Sequence, residues 1–254
     1  MDNRARHFWA AYWKDLQPTI AAPTLSRVLD RIKLERLRTL LPAQGRTLEV
    51  GCGAGRLSCY LAQMGFHTTG LDFCASALRQ AQRNYATVNV SGRFVTGEAT
   101  QLPFSDRQFD VVLSTGLLEH FADPSPIVRE MTRVLKAGGL FYSDIVPRKF
   151  SLFRSLDWIG RLRRAVTARS APPEEFYERP FAPAEIRHLL QTAGLVGVSV
   201  LPAGVVPPYL PVLYRLQRLR EFQVRLVEKK QRIWSRFDGT RVAEWIGCYY
   251  FVWA

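Results

Sequence analysis

Long apolar runs are missing from these 254 residues. The longest nearly uncharged one, Trp245 to Ala254, is about half of what a helix needs to cross a bilayer. No membrane-spanning anchor is therefore expected. Met1 to Leu16 carries Asp2, Arg4, Arg6, Lys14 and Asp15 among its apolar residues, which breaks the core a secretory leader requires. Cysteine is scarce as well. Cys52, Cys59, Cys74 and Cys248 form no CxxC pair and have no histidine at ligand spacing. Free thiols in a reducing, cytoplasmic compartment are expected, with no metal site.

Acidic residues are also in short supply: 22 Asp plus Glu stand against 35 Lys plus Arg, a formal charge of +13. The excess is concentrated. Between Pro147 and Ser170, Arg148, Lys149, Arg154, Arg161, Arg163, Arg164 and Arg169 face Asp157 alone. Between Val205 and Phe237, Arg215, Arg218, Arg220, Arg225, Lys229, Lys230, Arg232 and Arg236 face only Glu221 and Glu228. The remainder is close to neutral. A surface polarised in this way attracts anionic partners.

What the chain does have is the pattern of one large α/β domain. Its length suits a single sizeable core, and 47% hydrophobic residues is ordinary for a globular protein. Ala5–Leu16 reads as an aromatic-rich helix, with Phe8, Trp9, Tyr12 and Trp13, and Thr24–Leu41 as an amphipathic one. Short apolar runs then alternate with helices. Strands are expected at Thr47–Val50, Phe66–Leu71, Arg93–Thr96, Phe109–Ser114 and Leu140–Ile145, and helices at Gly55–Met64, Cys74–Tyr85 and Ser125–Leu135. That spacing implies βαβ units and a mainly parallel sheet covered on both faces. A helix at Pro183–Ala193 and strands at Leu195–Leu201 and Trp245–Trp253 complete the pattern.

The most informative stretch is Leu48-Glu49-Val50-Gly51-Cys52-Gly53-Ala54-Gly55. A strand ends at Val50, a glycine-rich turn follows, and a helix begins near Gly55. Such glycines allow positive φ and let a ligand press against bare backbone, beside the free N–H groups of a helix N-terminus. The spacing is Gly-x-Gly-x-Gly, not the Gly-x-Gly-x-x-Gly that holds a dinucleotide pyrophosphate, which argues against a nicotinamide-dependent reductase. Asp72 ends the second strand, where a carboxylate can accept from both hydroxyls of a ribose. A tight turn and a helix N-cap would explain the glycines and Asp72 separately. The third strand tip, Gly97-Glu98-Ala99, makes a shared ligand the better account.

From Leu48 to Pro147 the chain resembles the core of class I methyltransferases, especially the group that includes quinone-biosynthesis enzymes. The glycine motif, Asp72, Gly97-Glu98-Ala99-x-x-Leu102-Pro103-Phe104, Phe109-Asp110-Val111-Val112 and Leu135-Lys136-Ala137-Gly138-Gly139 carry the resemblance, in the family's order. It implies a Rossmann-like, seven-stranded, mainly parallel sheet with helices on both faces and an antiparallel last strand. It implies S-adenosyl-L-methionine as cofactor, with Glu49, Gly51, Cys52, Gly53 and Gly55 around the methionine part. Asp72 would hold the ribose, Phe73 would lie against the adenine, and Glu98 with the Ala99 amide would meet its edge. Thr115 would lie near the sulfonium. Glu98 departs from the family's usual Asp by one methylene.

The resulting expectation is a single domain. Residues 1–42 supply N-terminal helices, 43–147 the cofactor core, and 148–182 and 203–240 basic caps over the acceptor side. Two candidate bases follow from topology: His120, after the fourth strand, and Asp144, at the end of the fifth. Tyr12 and Trp13 are candidates for a lid. The expected activity is methyl transfer to a small-molecule or lipid-like acceptor, neutral or anionic. The basic amphipathic stretch 205–237 is either a cap helix or a contact with anionic membrane. A catalytically silent scaffold or regulatory subunit and an RNA methyltransferase are the rival readings, though no nucleic-acid-binding motif accompanies the arginines. Oligomeric state is not legible.

Overall fold

The computed structural model describes residues 3–13, 20, 25–145, 179–205, 221–222, 225, 229, 233–247 and 249–254. Two helices, α1 (Asn3–Tyr12) and α2 (Leu25–Arg38), precede an alternating core. That core runs β1 (Arg46–Val50), α3 (Arg56–Gln63), β2 (His67–Asp72), α4 (Ala75–Thr87), β3 (Arg93–Thr96), β4 (Phe109–Thr115), α5 (Ser125–Val134) and β5 (Leu135–Ile145). After it come α6 (Pro183–Thr192), β6 (Ser199–Ala203), α7 (Arg241–Ile246) and β7 (Tyr249–Trp253). The seven strands form one sheet in the order β3-β2-β1-β4-β5-β7-β6. Strands β1 to β5 run parallel, and β7 is antiparallel to both β5 and β6.

Both faces of the central strands are buried, so β4 and the second half of β5 carry mostly apolar residues on both sides. Side chains alternate between two cores. Val112 and Phe141 face α5 and α6 through Ile127, Met131, Ile186 and Leu190. Val111, Leu113 and Tyr142 face α2 and α3 through Ile32, Leu37, Leu57 and Leu61. Cys52, Cys59 and Cys74 are free and buried.

Three boundaries differ from the sequence reading, each for a local reason. Strand β5 starts at Leu135, not Leu140. Leu135 already pairs with Phe109, and Lys136–Gly139 bulge out before pairing resumes at Val111 and Leu140. Gly138 takes φ +71°, and a Cβ on Gly139 would lie 2.9 Å from the Asp110 carbonyl oxygen. The glycine pair builds a bulge instead of merely ending the helix. Strand β6 starts at Ser199 instead of Leu195. The stretch from Trp245 is helical before it is extended, with Trp245 on α7, and β7 begins only at Tyr249. Gly247 makes the change of direction, passing so close to β6 that a Cβ would sit 2.5 Å from the Ala203 carbonyl oxygen.

The first basic segment, 147–170, lies outside the described residues, and only parts of 205–237 fall within them. Among the described residues, no helix is long and apolar enough to cross a membrane.

Candidate active site

The carboxyl ends of β1, β2, β3 and β4 open onto one cavity of about 240 Å³. Where β1 ends, Gly51, Gly53 and Gly55 take φ of +68°, +50° and +60°. Gly55 is the N-cap of α3, so the helix presents its first amides beside the cavity. Gly51 has a second reason to lack a side chain, since a Cβ there would meet Leu117 Cδ1 at 2.7 Å. Cys52 donates its backbone N–H to the Leu71 carbonyl, which ties the turn to β2. Burial pushes the Cys52 thiol well up, so it is no thiolate nucleophile.

Asp72 locks this turn to the tip of the second strand. One carboxylate oxygen accepts from the Gly53 amide and the other from the Cys74 amide, each at 2.9 Å. Burial raises its pKa, and the two amide donors oppose the rise. Glu49 lies at the floor, 1% exposed. It accepts from the Ser58 amide at 3.1 Å and the Thr115 hydroxyl at 3.3 Å. Burial pushes its carboxyl up to about 7. Thr115 thus joins β4 to β1 through a side chain as well as through the sheet.

At the far side, Phe73, Glu98 and Ala99 line the cavity together. Glu98 receives the Arg6 guanidinium at 2.8 Å, and the same guanidinium lies 5.5 Å from the Phe73 ring centroid. Glu98 holds Arg6 above its ordinary pKa. Trp13 presses against Gly53: a Cβ on that glycine would sit 2.6 Å from the indole. His120 closes a short turn after β4 (Leu118–His120) and lines the cavity, with the Trp9 ring 5.5 Å from its own. Helix α1 therefore lies across the mouth.

Every residue expected to meet the cofactor lines this cavity except Gly55, which shapes it from the helix start. Asp144 is the correction. It does not line the cavity, and its side chain is 1% exposed. One oxygen accepts from the Gly116 amide at 2.8 Å and the other pairs with Lys33. A carboxylate held by a cation and an amide behind the wall is unavailable as a base toward an acceptor.

Two charged lining residues, Arg56 and Asp30, escaped the sequence reading, as did the apolar Leu117 and Phe121. Arg56 opens α3 and pairs with Asp30 of α2 at 2.6 Å. A cation at a helix N-terminus opposes the helix dipole, and that mismatch was the available signal for a nearby acid. Burial opposes the Arg56 charge, but Asp30 overcomes it and raises its pKa.

The description "Methyltransferase domain" belongs to the family model that matches residues 48–143. The ubiquinone biosynthesis O-methyltransferase of Pseudomonas fluorescens is 32% identical over 190 residues, spanning 69% of this chain and 78% of that one. Its namesake in Albidiferax ferrireducens is 36% identical over 133 residues, about half the length of either chain (49% and 52%). Among solved structures, a Thermotoga maritima SAM-dependent methyltransferase described as a possible histamine N-methyltransferase covers 98% of both chains, with TM-score 0.63 and 19% identity. At that identity the likeness concerns the fold. The chain belongs to the class I S-adenosylmethionine-dependent methyltransferases. It is an enzyme of that class and takes its methyl group from S-adenosyl-L-methionine.

The residues present fit that cofactor. A turn of bare backbone, a buried carboxylate at the second strand tip, and a ring with a carboxylate near the third form a donor set suited to a polar, zwitterionic nucleoside.

Proposed function

We propose that this enzyme methylates a hydroxyl oxygen on a small or lipid-like acceptor. The observation that carries the reading is the cavity where the first three strand tips meet His120, beside the aromatic side chains of Trp9, Tyr12, Trp13 and Phe121. Relatives named for O-methylation in ubiquinone biosynthesis support oxygen as the acceptor atom and a lipid-like skeleton.

In this reading Glu49, Gly51, Cys52, Gly53 and Gly55 surround the methionine part of the cofactor. Asp72 accepts from the ribose, Phe73 lies against the adenine, and Glu98 with the Ala99 amide meets its edge. Thr115 stands near the sulfonium. When bound, the cofactor supplies a methyl carbon activated by positive sulfur. The protein's own contribution is alignment, exclusion of water and removal of a proton. His120 takes the acceptor proton, because a neutral imidazole nitrogen can accept one and this side chain lies on the cavity wall. Trp9, Leu117 and Phe121 keep that end dry.

The cofactor assignment is tested by calorimetric binding of S-adenosylhomocysteine. Asp72→Ala is expected to weaken it by about 100-fold, the loss of one charge-assisted pair of hydrogen bonds. Unaltered affinity would defeat the assignment. The acceptor is sought by incubating metabolite extracts with methyl-labelled cofactor and identifying the labelled product. Product in RNA, or no product beside a copurifying partner, would favour the rival readings.

A membrane-facing role for 205–237 is part of the same proposal. Phe222, Arg225, Lys229 and Ile233 are each helical and exposed, and Trp245 is 74% exposed. Cations beside exposed apolar side chains suit the boundary of an anionic bilayer.

A further inference from the structure

We propose that α1 is a latch on the cofactor site, in which the Arg6 guanidinium occupies the adenine position and must be displaced before an adenosyl ligand can enter. The inference rests on the reading of Glu98 and Phe73 as the adenine contacts. Arg6 and Trp9 lie at i and i+3 on α1, and Trp13, just past its last residue, continues the helical turn by donating its amide to the Trp9 carbonyl, so the three share one face. That face meets the site at three separated points. Arg6 reaches Glu98 and Phe73, Trp9 reaches His120, and Trp13 reaches Gly53.

The Arg6 end is a chemical imitation. An adenine would donate an amino N–H to the Glu98 carboxylate while its flat ring lay along Phe73. The guanidinium is also flat, also donates N–H to Glu98, and also lies over that ring. Both cannot hold Glu98 Oε1 and the Phe73 face at once.

The latch is built to open. None of the described α1 side chains is fully buried, and none belongs to the hydrophobic cores. The Arg6 and Glu98 side chains are 38% and 42% exposed, so their ion pair is weak and screened by salt. An exposed pair of this kind shifts an equilibrium by about fivefold at most. That is enough to slow or weaken cofactor entry and too little to prevent it.

The test uses the full chain and S-adenosylhomocysteine as probe, read by calorimetry at low and high salt. Arg6→Ala is expected to bind the probe about two- to fivefold more tightly than the wild type. That gain is expected to vanish in the Glu98→Gln background, where no ion pair remains to be broken. Added salt is expected to improve wild-type binding and to leave Arg6→Ala unchanged. Weaker or equal binding by Arg6→Ala, with a wild type that binds, overturns the latch alone and makes α1 a clamp or a bystander. If neither protein binds the probe, the cofactor assignment itself has failed and the latch falls with it. Arg6→Gln, which keeps donors but loses the charge, guards against a folding artefact and is expected to show the same gain.

Discussion

Replacing Glu49 by glutamine should abolish a pH dependence that the fold imposes on itself. Glu49 is buried near the carboxyl end of β1, and burial moves its carboxyl from an ordinary 4.5 to about 7. Between those values the unfolded chain releases the proton while the folded chain keeps it. Stability therefore falls as pH rises through that window, at up to about 1.4 kcal/mol per unit. Below 4.5 both states are protonated and nothing is lost; above 7 the loss is complete, at about 3 kcal/mol as an upper bound. The amide of Glu49→Gln stays neutral throughout. Its oxygen can accept from the Ser58 amide as Glu49 does, and the Thr115 hydroxyl can turn to accept from its NH₂.

Urea titrations of wild type and variant between pH 4.5 and 8 supply the measurement. The two curves are expected to separate steadily as pH rises, the variant becoming the more stable by about 1–3 kcal/mol at pH 8. A constant offset across that range would show that Glu49 keeps an ordinary pKa and that the account of its burial is wrong. The same carboxyl faces the site proposed for the methionine ammonium. Cofactor affinity is accordingly expected to rise with pH through about 7 in the wild type, and to be flat in the variant.

His120→Ala is expected to lower kcat by about 100-fold or more while leaving S-adenosylhomocysteine affinity within about threefold, since a proton acceptor acts on the acceptor and not on the cofactor. A proportional loss of both would make His120 structural. Sedimentation with anionic vesicles at low salt is expected to carry the protein down, and high salt or neutral vesicles to release it. Protein left in the supernatant with anionic vesicles would remove the membrane contact.

The sequence was most legible where structure is local. Strand-length apolar runs and the glycine spacing at Gly51–Gly55 located the first three strand tips to within a residue or two, because burial on both faces and positive φ leave direct marks on residue choice. The ends of the last two strands were read less well. Leu195 and Trp245 are apolar enough for a strand, but Gly247 and the approach of β6 decide where pairing starts. Long-range pairing of charges was not legible. Arg6 meets Glu98 across 92 positions and Arg56 meets Asp30 across 26, and nothing in a local pattern matches a cation with its carboxylate. Asp144 shows the cost: its place at the end of β5 was read correctly, and its partner Lys33 reversed its meaning.

That partner has a consequence for where the enzyme can be cut. The matched family region starts at residue 48, yet Lys33 belongs to the helix before it. Lys33 is buried beside Asp144, which, with Tyr249 and Asp30, holds its ammonium above the ordinary range against the opposing effect of burial. A chain begun at residue 48 but kept through β7 would strand an anion inside β5 with no counter-charge, a defect on the order of 3–5 kcal/mol. Helix α2 is thus part of the minimal folding unit, and an expression boundary drawn at the glycine motif would discard the cation that lets the sheet close.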